Sequence, residues 1–133
     1  MKQVSGVFDV KVAPIPADEK DGEAGLSRMS IDKQYHGALE GTAKGQMLTS
    51  GTAVQNSGVY VAIEKVSATL DGRKGTFILQ HSGTMVRGVG HLVITVVPDS
   101  GTGELEGMTG KMDIKIEDGK HFYELDYEIA PAP

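Results

Sequence analysis

A glutamate and a histidine on neighbouring segments of the chain are the residues best placed for acid–base chemistry. Glu64 lies in "YVAIEKVSATL", His81 lies in "GTFILQHSGTM", and the turn dipeptide "DG" separates the two segments. A two-residue turn there pairs Leu70 with Arg73 and puts Glu64 diagonally across from His81, at roughly 7 to 8 Å between backbone positions. A carboxylate beside an imidazole in apolar surroundings is an arrangement in which burial and mutual charge shift pKa values, as in catalytic acid–base pairs.

Two alternatives stand beside this catalytic interpretation. The same two side chains could complete the core as a buried ion pair or hydrogen bond, which is the more frequent role of such a pair. The register is also open at this stage. A three-residue loop at 71–73 would place Glu64 opposite Gln80 and turn His81 to the other face of the sheet.

Four tyrosines lie in the predicted strands and could line a cavity. Two-residue turns at the two "DG" dipeptides, 71–72 and 118–119, turn Tyr60, Tyr123 and Tyr127 inward. Tyr35 joins them if the preceding loop is "HGA" at 36–38, a register that also turns Lys33 and several small residues inward. An apolar cavity with a few hydroxyls, a glutamate and a histidine is typical of a small-molecule site. In the alternative, the tyrosines only pack and turn their hydroxyls to water. The predicted ligand-binding residues are Tyr35, Tyr60, Phe77, Leu79, Tyr123 and Tyr127.

The histidines and the glycine-rich stretch give little support for a metal or a nucleotide. The four histidines show no HxH or HExxH spacing, and a turn at 87–88 would send His91 to the face opposite His81. The stretch "SGTGELEGMTG" lacks the lysine of a phosphate-binding loop and leads into a strand. The GxSxG motif of serine hydrolases is absent. We therefore expect neither a metal nor a cofactor.

The composition indicates one ordinary globular domain. A chain of 133 residues, 39% hydrophobic and 23% charged, can bury a core, so we expect a single domain over 1–133 with an exposed loop at 14–25. A net charge of -5 with scattered lysines argues against a nucleic-acid partner. Cysteine is absent, and no apolar run suggests a signal peptide or the ~20 residues of a membrane span. We expect a cytoplasmic protein without a membrane partner.

Short runs of alternating apolar and polar residues, separated by glycines, predict an all-β fold. The "DG" dipeptides should join consecutive strands as antiparallel hairpins. Such an up-and-down arrangement either closes into a barrel or splits into a sandwich. The eight predicted strands are at 5–13, 26–36, 38–50, 57–70, 73–87, 89–98, 104–117 and 120–130.

The outer face of the middle strands is predicted to be unusually apolar. Contiguous apolar surface of this kind usually marks an interface. We therefore expect a homo-oligomer in which another subunit covers this face. The apolar residues assigned to it are Val59, Val61, Ile63, Ile78, Val93 and Val97.

Three segments carry a resemblance to a known family. The stretches "YVAIEKVSATLDGRKGTFILQHSGTM", "VVPDSGTGELEGMTGKM" and "GKHFYELDY" resemble the small bacterial proteins grouped as domain of unknown function 3224, from about Leu26 to Ile129. The family is similar in fold to the allene oxide cyclase barrel, and "SGTGELEGMTGKM" also resembles a late turn and strand of dirigent proteins. The resemblance implies an eight-stranded antiparallel closed barrel rather than a sandwich. It implies no catalytic residue, because none matches position by position.

Three functions remain open at this point. The leading expectation is a barrel that binds a small, largely apolar molecule in its interior. The second is an isomerase or cyclase in which Glu64 and His81 exchange protons and tyrosine hydroxyls polarise the substrate. The third is a structural or interaction protein with a filled core that uses only its outer face.

Overall fold

The chain folds into a closed barrel of eight antiparallel strands, in a computed structural model that describes residues 1–16 and 25–131. Each strand pairs with the next along the chain and the eighth pairs with the first, so the predicted all-β up-and-down barrel is confirmed. The described part of the chain contains no helix long and apolar enough to cross a membrane. The strands are β1 (Lys2–Ile15), β2 (Ser27–Gly37), β3 (Leu39–Gly51), β4 (Gly58–Leu70), β5 (Arg73–Val86), β6 (Val89–Val96), β7 (Met108–Glu117) and β8 (Lys120–Ile129).

The seventh strand begins later than the predicted residue 104. A 3₁₀ helix, Gly103–Leu105, precedes it, and β7 begins at Met108. The helix starts at a glycine with a φ of 61°, a left-handed conformation that glycine adopts without steric cost. Leu105 is fully buried against Gly75 of β5, so this short helix covers one end of the barrel.

The predicted exposed loop at 14–25 begins too early. Pro14 and Ile15 continue β1 and pair with β2. The proline is tolerated because the described ladder between β1 and β8 ends at Phe8, so β1 is an edge strand at Pro14. Residues 17–24 of the predicted loop lie outside the described residues.

Three hairpins have the two-residue turns that the sequence predicts. In the turn between β4 and β5, φ is 50° at Asp71 and 83° at Gly72. Two positive φ angles are typical of type I′ turns, whose backbone twist matches the right-handed twist of the two strands they join. This turn places Glu64 opposite Leu79. The alternative register, with Glu64 opposite Gln80, is therefore wrong. The other two turns of this kind are Arg87-Gly88 and Asp118-Gly119.

The connection between β2 and β3 is longer than the predicted loop at 36–38. Tyr35 pairs with Gly41, whereas a three-residue loop requires Leu39 as its partner. The chain leaves the ladder with β1 at Gly37, whose φ of 111° suits glycine. Because the register differs by two residues, the same side chains of β2 and β3 still face the interior.

The two ends of the barrel differ in packing. We call the end with the hairpin at 71–72 and the 3₁₀ helix the closed end, and the end with the turns at 87–88 and 118–119 the open end. The closed end is filled by apolar side chains with almost no exposed surface, whereas inward-facing side chains at the open end retain much of theirs. The fully buried residues of the packed half include Tyr35, Leu39, Leu70, Phe77, Leu79, Leu105 and Leu125.

The outer face of β4 and β6 is apolar and exposed in the single chain. Val61 is 49% exposed, Ile63 60% and Val93 62%, as the alternation of the sequence predicts. The same face of β3–β5 forms a shallow groove of about 920 Å³ with Lys44 and Lys65 among its lining residues. That another subunit covers this face stays a prediction.

Candidate functional site

A cluster of four polar side chains lies in the middle of the barrel interior, and we call it the Glu64 cluster: Lys33, Tyr35, Glu64 and His81. Glu64 has no exposed surface and accepts three hydrogen bonds. His81 Nε2 donates to Glu64 Oε2 at 2.7 Å, and Lys33 Nζ donates to the same oxygen at 2.8 Å. The Tyr35 hydroxyl donates to Glu64 Oε1. Every side chain of the cluster is buried.

The strand registers and two small residues bring the cluster together. Glu64 and His81 lie on the adjacent strands β4 and β5, one diagonal step apart, as the sequence predicts. Lys33 lies on β2, two strands from Glu64, and the intervening positions of β3 are Ala43 and Gly45. A Cβ atom at Gly45 would lie 2.8 Å from the Cα of Glu64. Small residues on β3 therefore leave the space through which Lys33 reaches Glu64.

Lys33 is the member of the cluster that the sequence-based site prediction missed. Its ammonium lies 4.8 Å from the centroid of the Phe8 ring and donates a second hydrogen bond to the Tyr35 hydroxyl at 3.3 Å. A cation over an aromatic face is stabilised by the ring quadrupole. The sequence does contain a signal that could have identified Lys33, which is its inward position between Ile31 and Tyr35. A lysine on an apolar inner face needs a buried partner.

The cluster holds Glu64 as an ionised carboxylate. Burial alone would raise the pKa of Glu64, but the hydrogen bond from His81 and the charge of Lys33 outweigh it and lower the pKa to about 2. Burial and the adjacent Glu64 carboxylate raise the pKa of Tyr35 well above its usual value, so Tyr35 stays protonated and donates. An ionised acceptor requires that His81 Nε2 carries its proton. Among the described residues, Nδ1 of His81 has no hydrogen-bond partner.

Acid should therefore destabilise the barrel below about pH 4.5. The ordinary pKa of 4.5 falls to about 2 at Glu64, so its contribution to stability is complete above pH 4.5 and is lost as the pH approaches 2. At pH 3 the expected loss is about 2 kcal/mol, since one pKa unit corresponds to 1.36 kcal/mol. Urea denaturation at pH 6 and at pH 3 measures this difference in the free energy of unfolding. The loss should be smaller in Glu64→Gln and unchanged in Glu128→Gln, and a wild-type chain equally stable at both pH values would contradict the assignment.

Most of the predicted ligand-binding residues lie in the packed half of the barrel. Phe77 and Leu79 are core residues, and Tyr35 belongs to the Glu64 cluster. The Tyr123 hydroxyl accepts from the Leu39 N–H at 3.1 Å. The Tyr127 hydroxyl donates to Asp71. These contacts hold the chain together at the closed end, and a ligand contact of these residues stays a prediction.

Tyr60 is the one residue of that set that lines a cavity at the open end. The cavity has a volume of about 670 Å³, and its mainly apolar wall includes Tyr60, Met85, Leu92 and Ile116. Leu92 shares the inner face with Ile94, and Ile116 shares it with Met112. Leu92 is nevertheless 38% exposed and Ile116 66% exposed, whereas Ile94 and Met112 are buried. Among the residues that the structure describes, no side chain therefore fills the barrel interior at this end.

The seam between β6 and β7 is the shortest ladder of the barrel. These strands pair only through Ile94 with Met112 and Thr95 with Lys111, whereas β5 and β6 pair over eight positions. From Leu92 towards the open end, the described ladder between β6 and β7 has no further pair. The seam leads directly to the exposed Leu92 and Ile116 of the cavity wall. We call this region the β6–β7 seam.

Among the described residues, no group of three or more histidine, aspartate or glutamate side chains is arranged to hold a metal ion. The chain holds no cysteine. The buried His81 and Glu64 are bonded to each other, and Lys33 occupies the adjacent position. The geometry of the Glu64 cluster is thus that of a hydrogen-bonded ion cluster.

Comparisons with known proteins agree with the barrel and with the sequence resemblance. The family model described as "Protein of unknown function (DUF3224)" matches residues 4–127. The crystal structure of a protein with unknown function from the DUF3224 family of Shewanella oneidensis MR-1 is 48% identical, with 99% of each chain covered and a TM-score of 0.92. No curated protein matches the chain. The predicted family is confirmed, and the chain belongs to the DUF3224 family.

Proposed function

We propose that this protein binds a small, largely apolar molecule in the cavity at the open end of the barrel. The observation that carries the proposal is the exposure of inward-facing apolar side chains there. Met85, Leu92 and Ile116 are 46%, 38% and 66% exposed, although the interior positions further along the same strands are closely packed. Apolar surface left open inside a fold is a common feature of ligand sites.

The size and the access of the cavity support the same function. Its volume of about 670 Å³ falls within the roughly 300 to 1,000 Å³ of small-molecule sites. The β6–β7 seam gives a lateral way in, because the ladder there stops before Leu92.

A cavity-filling variant tests the proposal. Gly90 lines the cavity, and a Cβ atom added there would meet no atom within 4 Å. Gly90→Leu should therefore place an apolar side chain in the ligand space without straining the fold. We expect the neutral fluorescent probe N-phenyl-1-naphthylamine to bind the wild-type chain and to bind Gly90→Leu at least about tenfold more weakly.

Thr95→Leu is the matched control, since it adds the same side chain to the exposed outer face of the same strand. It should leave the affinity for the probe unchanged. Circular dichroism would show that both variants keep the barrel. A wild-type chain that does not bind the probe, or equal affinity in Gly90→Leu, would contradict the proposed site.

The hydrogen bond between His81 and Glu64 favours a second candidate, the isomerase or cyclase. The carboxylate, with a pKa of about 2, is too weak a base to exchange protons at neutral pH. In this mechanism Glu64 orients the imidazole ring of His81 through its hydrogen bond to Nε2, and Nδ1 of His81 accepts a proton from the substrate. A turnover that is the same in the wild-type chain and in His81→Gln would remove this candidate.

The third function, that of a structural or interaction protein with a filled core, is supported only by the packed half of the barrel. Tyr123 and Tyr127 there hold the closed end through their hydroxyls. The exposed inner wall at the open end favours binding over this alternative.

A further inference from the structure

We propose that the cavity selects uncharged amphiphiles, such as medium-chain alcohols or ketones, whose oxygen hydrogen-bonds to the Tyr60 hydroxyl, and that it rejects carboxylates and ammonium ions. The inference rests on the proposed function and adds the chemical class of the ligand. It follows from the kinds of side chain that line the cavity, from the pairing of the buried charges and from the position of Tyr60.

The described lining of the cavity contains no aspartate, glutamate, lysine or arginine. A charged ligand would therefore lose its hydration at this wall without gaining a counter-ion, which is costly in an apolar site. The polar side chains of the lining are hydroxyls, one amide and one imidazole. Apart from Tyr60, they are Thr49, Ser50, Asn56, Ser57, Thr84 and His91.

The buried hydrogen-bond donors of the Glu64 cluster are already paired. Lys33 Nζ donates to Glu64 and to Tyr35, and the Phe8 ring lies against its remaining side. His81 Nε2 donates to the same carboxylate. A carboxylate ligand would have to compete with Glu64 for these donors and would meet the negative charge of Glu64 while doing so. Burial, together with that charge, also raises the pKa of Tyr60.

Tyr60 is placed to receive an uncharged polar group. Its ring lies directly against Gly83 of β5, where any Cβ atom would collide with it, so the glycine gives the ring its position. Its hydroxyl has no hydrogen-bond partner among the described residues. A half-buried hydroxyl of this kind gains a partner when a ligand alcohol or carbonyl binds beside it.

Three ligands of one chain length test the selectivity. 1-Octanol, octanoate and octylammonium are each titrated against N-phenyl-1-naphthylamine bound to the wild-type chain at pH 7.5, and displacement of the probe is measured. We expect octanol to bind at least about tenfold more tightly than either ion, because each ion must be desolvated without a partner. Octanoate or octylammonium that displaces the probe as well as octanol would overturn the proposal.

The Tyr60→Phe variant tests the hydrogen bond separately. It keeps the ring and removes the hydroxyl, so octanol should bind about fivefold more weakly while the affinity for the probe stays the same. An unchanged octanol affinity would overturn the assignment of Tyr60. Failure of the probe to bind the wild-type chain would instead contradict the proposed function, so the two failures are distinguishable.

Discussion

Replacement of Glu64 by leucine should lower the free energy of unfolding at neutral pH by about 3 to 5 kcal/mol. Lys33 Nζ and His81 Nε2 both donate to Glu64 Oε2, and all three side chains are buried. Without the carboxylate, an ammonium remains inside the barrel with only the Tyr35 hydroxyl as an acceptor. An uncompensated buried charge of this kind is among the most destabilising changes that one substitution can make. Urea denaturation followed by circular dichroism measures the loss.

A double variant separates the loss of the pairing from the loss of the side chain itself. Lys33→Met combined with Glu64→Leu removes both charges and should recover most of the stability. Replacement of the exposed Glu128 by leucine is the surface control and should change stability by no more than about 0.5 kcal/mol. If Glu64→Leu does not fold, Glu64→Gln offers a milder version that keeps an acceptor oxygen. Wild-type stability in Glu64→Leu or Glu64→Gln would contradict the described cluster.

A disulfide across the β6–β7 seam should slow the entry of a ligand into the cavity. If the register of the pair Ile94 with Met112 is extended by two residues, Leu92 comes opposite Ile114, so oxidation of Leu92→Cys with Ile114→Cys would draw the two strands together beyond the end of the ladder. A disulfide holds its Cα atoms at about 4.4 to 6.8 Å, which closes the seam beside the cavity. We expect the oxidised variant to bind N-phenyl-1-naphthylamine at least about tenfold more slowly than the same variant after reduction.

The absence of cysteine from the chain makes this experiment clean, since the only disulfide is the engineered one. The comparison of oxidised and reduced forms of one variant removes the effect of the substitutions themselves. Ser82→Cys with Val93→Cys is the matched control, because it bridges β5 and β6 where the ladder is already continuous. Equal probe kinetics in the oxidised and reduced seam variant would exclude the seam as the way in.

The barrel and the meeting of Glu64 with His81 could be predicted because local turn chemistry determines them. The "DG" dipeptide at 71–72 sets the register of its hairpin, and the register sets which residues share a face. Lys33 was harder to assign, because its partner lies two strands away and its contact depends on small residues at 43 and 45. Such contacts are set by tertiary packing rather than by a turn.

The sequence alone does not predict which part of the barrel interior is packed and which part is open. Tyr60 and Tyr123 both face inward by the same alternation, yet Tyr123 is buried at the closed end while Tyr60 lines the cavity. Whether an inward side chain packs depends on residues from strands far apart in the sequence. The β6–β7 seam was equally hidden, since the long connection between these strands includes no two-residue turn that would set their register.

The unequal packing of the two ends implies that the barrel tolerates substitution unevenly. Substitutions at the closed end remove close contacts of residues such as Leu39 and Leu105, so each one should lower the free energy of unfolding. Changes at Leu92 or Ile116 remove few contacts, because these side chains are already exposed. The closed half of the barrel is thus constrained by folding, whereas residues of the open half can change which ligand the barrel binds without changing its fold. A library randomised only at the open end should therefore yield mostly folded proteins that differ in ligand preference.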